Sequence, residues 1–214
     1  MSQFVDEEIL KEKRRIQQEQ AQLLESERKE TESEKEESIF DGVITIEGQK
    51  VQFERVEIPE LQISIMMPDF FFLLSEEVKQ YIYPAGNRPS HVYGGENIYY
   101  QLSLSKTSHQ VPDEGMVKFL PMAKKLMEVM GPKTKILAAN VVKHPVEDTC
   151  YHVGIMEFIS QAVDMSIYNV MFYISINNQL LMGNITFPYK KRNSYMKIAK
   201  ETIDSIIVLQ GGEE

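Results

Sequence analysis

The sequence predicts an α+β protein: a central antiparallel sheet flanked by helices on both faces (an α/β/α sandwich), preceded by a charged N-terminal helical arm. Three observations carry this expectation. First, Ile167–Ile176 and Gln179–Phe187 are two strand-like runs joined by Asn177-Asn178, and Asn tolerates the left-handed backbone that a two-residue hairpin turn requires. Second, both runs are apolar on both faces rather than alternating apolar and polar, which places them centrally, with a layer on either side. Third, helical spacing of Met196, Ala199, Ile203, Ile206 and Ile207 follows from about Asn193 to Leu209, supplying one of those layers.

Length and charge bound the rest. The chain has 214 residues and is 43% hydrophobic, enough for one sizeable domain plus an extension. Residues 1–38 hold 7 Lys/Arg and 12 Asp/Glu, and the remainder 16 and 20. We therefore divide the chain into a charged arm and linker, 1–38, and a folded domain, 39–214. In the arm, Phe4, Val5, Ile9, Leu10, Ile16, Leu23 and Leu24 form a thin apolar stripe. Ile9, Ile16 and Leu23 are spaced by seven, but Glu12, Glu19 and Ser26 occupy the matching seam positions. A regular coiled coil is disfavoured, while docking on a partner or self-association through the arm stays open.

The domain begins with short strands at Val43–Ile46 and Lys50–Val56 around Glu47-Gly48, then Leu61–Met67, closed by Pro68. Asp69–Leu74 is strongly apolar, and Ser75-Glu76-Glu77 reads as the cap and first turn of a helix. Residues 81–95 are punctuated by Pro84, Gly86, Pro89, Gly94 and Gly95 and read as an irregular loop. A strand at Tyr99–Ser105 follows. A helical region then reaches Met130, with Met116, Phe119, Leu120, Ala123, Leu126, Met127 and Met130 on its inner side. Pro121 either kinks that helix or lies in its first turn. Strands at Ile136–Lys143 and Tyr151–Gln161 lead into the central hairpin.

Chemistry is sparse in the motifs. The four histidines, His91, His109, His144 and His152, show no metal-ligand spacing, and no HExxH, CxxC, GxSxG or P-loop occurs. Cys150, the single cysteine, has no activating sequence context. No catalytic, metal or cofactor residue is assigned. Without a basic cluster in the domain, nucleic acid and membrane surfaces are disfavoured as partners. The lack of an apolar leader points to a cytoplasmic protein. The 12 methionines mostly fall at core-facing positions. One segment concentrates the side chains favoured at binding surfaces: Tyr81, Tyr83, Arg88, His91, Tyr93 and Tyr99, the candidate partner-binding residues.

The run Met67-Pro68, Tyr83-Pro84, Asn87-Arg88-Pro89 and Tyr99–Ser105, followed by a helix and a meander ending in Ser205-Ile206-Ile207, resembles the PsbP-like superfamily. Its members include photosystem accessory proteins, Ran-binding import factors and effector chaperones of type VI secretion. The resemblance spans roughly Leu61–Leu209. It implies a non-enzymatic intracellular adaptor or chaperone that binds a protein partner and needs no cofactor. The alternative is a small-ligand or lipid carrier with a pocket between sheet and helix.

Overall fold

A computed structural model describes residues 37–209, apart from 85, 87, 97–99, 132, 147–148 and 163. The expected helical arm, up to residue 36, lies outside the described residues. The domain begins at its last two positions. Glu37 accepts from the Thr45 amide and hydroxyl, its carbonyl accepts from Lys197, and Ser38 caps a short 3₁₀ turn at Ile39–Asp41.

The strands are β1 (Val43–Ile46), β2 (Gln49–Ile58), β3 (Ile63–Pro68), β4 (Phe72–Leu73), β5 (His91–Gly94), β6 (Gln101–Gln110), β7 (Lys135–Val146), β8 (Thr149–Gln161), β9 (Ser166–Ile176), β10 (Gln179–Pro188) and β11 (Ile207–Val208). The α-helices are α1 (Glu76–Ile82), α2 (Met116–Met130) and α3 (Arg192–Asp204). The strands form two sheets, a four-stranded one in the order β1-β2-β3-β11 and a seven-stranded one in the order β4-β5-β6-β10-β9-β8-β7. Every recorded pairing is antiparallel.

This corrects the α/β/α expectation. One face of the large sheet is covered by the small sheet and α3 together, not by helices alone. Ile44, Phe53, Ile63 and Ile65 of the small sheet and Ile198, Ala199 and Ile203 of α3 share one core with Leu102, Val170, Phe172, Ile174 and Ile185. The reason lies in β2. Its buried positions are Phe53 and Ile58, with Val51 and Val56 partly covered, and its other six positions are exposed. A strand that polar can lie as an outer layer over another sheet but cannot sit inside one covered on both faces. Burying the three α3 isoleucines (Ile198, Ile203 and the following Ile206) contributes on the order of 5–9 kcal/mol before chain entropy is subtracted.

The opposite face of the large sheet is covered by α2. Met116 and Leu120 pack with Met156, Phe158, Tyr173 and Leu180, and Phe119, Ala123 and Met127 adjoin them. The central hairpin is thus covered on both sides, as its composition predicts. Phe172, Ile174 and Ile185 are buried, while Met171 is half-buried. Asn177 and Asn178 both take positive φ, 51° and 64°, as the hairpin turn demands. Three local expectations change. The helix α2 runs through Pro121 from a 3₁₀ turn at Asp113–Gly115. The helix α3 starts at Arg192 without a side-chain cap from Asn193 or Ser194. It ends at Asp204, and Ile207–Val208 pairs with β3. Among the described residues, no helix is long and apolar enough to cross a membrane.

Candidate functional site

The candidate segment is built around α1 and β5. Ser75 caps α1 by accepting from the Val78 amide at 3.4 Å. Lys79, although charged, is buried: its ammonium donates to the Ser90 carbonyl at 2.9 Å and pairs with Glu76. Ser90 in turn donates to the Leu104 carbonyl at 3.1 Å, and its amide donates to the Ser105 hydroxyl at 3.1 Å. A cation, a serine and two carbonyls therefore fix α1 over the β5–β6 edge, where buried polar groups need partners.

The structure splits the predicted residues between two faces. Tyr83 leans over the outer face, hydrogen-bonded to Ser103, and burial raises its pKa more than that bond lowers it. Arg88 is exposed and donates to the Tyr83 carbonyl at 3.2 Å. His91 and Tyr93 stand opposite Leu104 and Leu102 and so share the inner face of the sheet. Their rings stack with centroids 6.4 Å apart. Burial, and then the charge of Glu60, raise the Tyr93 pKa. Tyr81, at 82% exposure, stands apart on α1. Tyr99 lies outside the described residues. Six residues adjacent in sequence therefore do not make one surface.

The neighbouring strand exposes more apolar area, on both faces of the edge: Phe72 stands opposite Gly94 and Leu73 opposite Tyr93, so their side chains point to opposite faces. Phe70, Phe72, Leu73, Val78 and Tyr81 are all 40% or more exposed within twelve consecutive residues. They surround β4, the edge strand of the large sheet. The patch is held rigidly. A Cβ placed on Gly95 would lie 2.6 Å from the Phe70 ring, so the ring rests directly on the glycine backbone. Phe70 meets Phe71 edge-on at 5.4 Å, and Phe71 meets the buried Tyr100 at 5.1 Å. Asp69, Glu76 and Glu77 rim the patch. In the sequence alone, the Asp69–Leu74 run has the composition of a core strand.

One further polar pair was not visible from sequence. Asp113, before α2, accepts from the His152 amide at 2.8 Å and meets His152 Nδ1 at 2.5 Å. A carboxylate on Nδ1 fixes the imidazole tautomer, the orienting half of a proton relay. No hydroxyl or thiol is hydrogen-bonded to its other ring nitrogen among the described residues. The pair fastens the start of α2 to β8. His144 lies on the other side of the sheet, 3.8 Å from Asp204 of α3, so the two histidines cannot share a ligand. No cluster of three or more His, Cys, Asp or Glu suited to a metal occurs among the described residues.

No known family pattern matches the chain, and no curated protein is similar to it in sequence. Solved structures are similar in fold. The cyanobacterial PsbP protein of Synechocystis (CyanoP) superposes with a TM-score of 0.51 over 73% of this chain and 92% of its own, at 9% identity. The fold is PsbP-like. A protein of unknown function from Pseudomonas aeruginosa aligns over 72% of this chain and 96% of its own at 10% identity, with a TM-score of 0.42. A Bacteroides thetaiotaomicron protein aligns over 75% of this chain and 50% of its own at 12% identity, with a TM-score of 0.47.

Proposed function

We propose that this chain is a non-enzymatic intracellular protein-binding module, of the adaptor or chaperone kind, whose contact surface is the β4–α1 shoulder. The observation that carries the reading is the exposed group Phe70, Phe72, Leu73, Val78 and Tyr81 on an edge strand. Large apolar side chains left exposed on both faces of a sheet edge, with polar residues beside them, support an interaction site. An edge strand offers unpaired backbone groups to an incoming strand. The occupant is an extended segment of a partner protein. It adds to β4, places apolar side chains among these rings, and carries basic residues opposite Asp69, Glu76 and Glu77. The rigid support beneath Phe70 and α1 lowers the ordering cost of such binding. The adaptor and chaperone members of the PsbP-like group are consistent with this reading.

The test is a double substitution, Phe72→Ser with Tyr81→Ser, in the full chain. Both side chains are more than half exposed, so the melting temperature should stay within about 2 °C of wild type. Partners captured by the wild-type protein should be lost by a factor of about ten or more, because interface anchors are typically worth at least 1–2 kcal/mol. Equal capture by both proteins, with normal melts, removes this surface.

A further inference from the structure

We propose that residues 4–24 of the chain's own N-terminal arm dock on the outer face of α2, beside the β7 edge, at the opposite end of the sheet from the β4–α1 shoulder. The first support is an unpartnered apolar strip. Met122, Leu126, Val129 and Met130 lie on one side of α2 and are 70%, 58%, 72% and 73% exposed. Four such side chains in two turns exceed the scattered apolar exposure that surfaces ordinarily carry.

The second support is charge. Residues 116–146, which span α2 and β7, hold six lysines against one acid, Glu128, so the domain, expected to lack a basic cluster, carries one here in a chain whose net charge is −9. Helical geometry puts Lys118 and Lys125 along the border of the apolar strip. Lys124 pairs with Glu128 at 3.9 Å. Among the described residues, no ion pair engages Lys118, Lys125, Lys133 or Lys135. The arm has the complementary chemistry. Residues 25–36, which must pass the β7 edge, hold six acids against three basic residues, residues 4–24 hold five against four, and Val5, Ile9, Ile16 and Leu23 recur at helical spacing. The β4–α1 shoulder, rimmed by acids, is the poorer match for the acidic segment 25–36 that leads to the docked residues.

The third support is reach. Glu37 is pinned against α3 by Lys197, and α3 continues to Asp204, beside His144 of β7. From Lys197 to the β7 edge is seven residues of helix, about 10 Å. Passing around the sheet to α2 adds about 20 Å, two layers of about 10 Å each. Residues 25–36, fully extended, span about 40 Å. Reach alone does not choose between the faces, since Tyr195 of α3, Tyr100, Phe71 and Phe70 touch in succession toward the shoulder at 4.8, 5.1 and 5.4 Å; charge does. Docking also screens a twelve-residue edge strand, which exposed would invite pairing with other chains.

The experiment is hydrogen exchange by mass spectrometry on the full chain, comparing wild type with Ile9→Glu plus Ile16→Glu. Exchange in peptides covering 122–130 and in the arm should accelerate about tenfold or more, since local opening is governed by the contacts covering each segment. Lys118→Glu with Lys125→Glu should do the same, as should raising the salt to about 0.5 M, where surface charge attraction is screened. Lys118 and Lys125 are exposed, so the fold itself is not at stake in that variant. Unchanged exchange in both variants overturns the proposal. A wild-type dimer in light scattering that becomes monomeric in the Ile9/Ile16 variant overturns docking within one chain and assigns the strip to a second copy.

Discussion

Gly183 offers the sharpest test of how the central hairpin is packed. It stands opposite Phe172 in the β9–β10 register. A Cβ built on Gly183 would meet Phe172 ring carbons at 2.0, 2.4 and 2.6 Å. Phe172 is 0% exposed, so its ring has no open space into which it can swing. Gly183→Ala should therefore cost about 3 kcal/mol, the upper end of ordinary overpacking. For a domain of this size that lowers the melting temperature by about 6–12 °C. Phe172→Leu withdraws the clashing ring atoms and leaves a smaller void. The double variant should thus recover at least about 1 kcal/mol relative to the sum of the singles. The assay is urea unfolding followed by circular dichroism for all four proteins. A loss below about 1 kcal/mol for Gly183→Ala, or strict additivity in the cycle, refutes ring-on-backbone packing.

Three other outcomes are expected. Asn178→Ala should destabilise by about 1 kcal/mol, because its φ of 64° disfavours a side chain lacking local hydrogen bonds, whereas Asn178→Gly should match or exceed wild type in the same unfolding assay. Tyr173, whose hydroxyl donates to Met171 Sδ at 2.8 Å, has its pKa pushed up by burial to about 12. Its stabilising contribution is full below the ordinary value of 10.0 and is lost as pH climbs through about 12. Tyr173→Phe should accordingly flatten the alkaline arm of the stability profile, and an unchanged alkaline arm would count against that burial. Burial likewise raises the Asp204 pKa, partly offset by His144. Its contribution is present in acid and lost as pH rises through the carboxyl range. Asp204→Asn should melt slightly above wild type at neutral pH, with the gap closing in acid; the opposite trend would assign the charge a stabilising role.

The hairpin was legible because its signal is local. The Asn-Asn turn, strands apolar on both faces and the following helix need no information about distant residues. The small sheet was not legible as a separate layer. The few apolar positions of β2 read the same whether they meet a helix or another sheet, and only pairings such as β3–β11, across more than 130 positions, decide it. The short β5 was hidden for another reason. His91–Gly94 lies among prolines and glycines that read as a loop, and its partner β6 supplies the order. The chain end behaves similarly: Ile207 fits the helical stripe by spacing, yet the Ser205 hydroxyl accepts from the Met66 amide at 2.8 Å and turns the backbone into strand.

The surfaces were the least legible part, because an apolar residue in sequence gives no sign of what covers it. Leu126 and Met130 fall within the stripe expected to face the core, but in the later turns of α2 Ala123 and Met127 meet the sheet, and Leu126 and Met130 turn to solvent. Phe72 and Leu73 belong to a strongly apolar run, yet β4 lies at the end of the large sheet and leaves both in solvent. Charge separates the two exposed faces where hydrophobicity alone cannot. One is bordered by lysines and the other by carboxylates, at opposite ends of a seven-stranded sheet. Sites that far apart, with no shared partner, should respond additively. Phe72→Ser/Tyr81→Ser should therefore leave exchange across residues 122–130 unchanged, and Lys118→Glu/Lys125→Glu should leave capture at the shoulder unchanged. If either pair moves the other readout, the arm reaches both faces, and the division of the surface by charge fails.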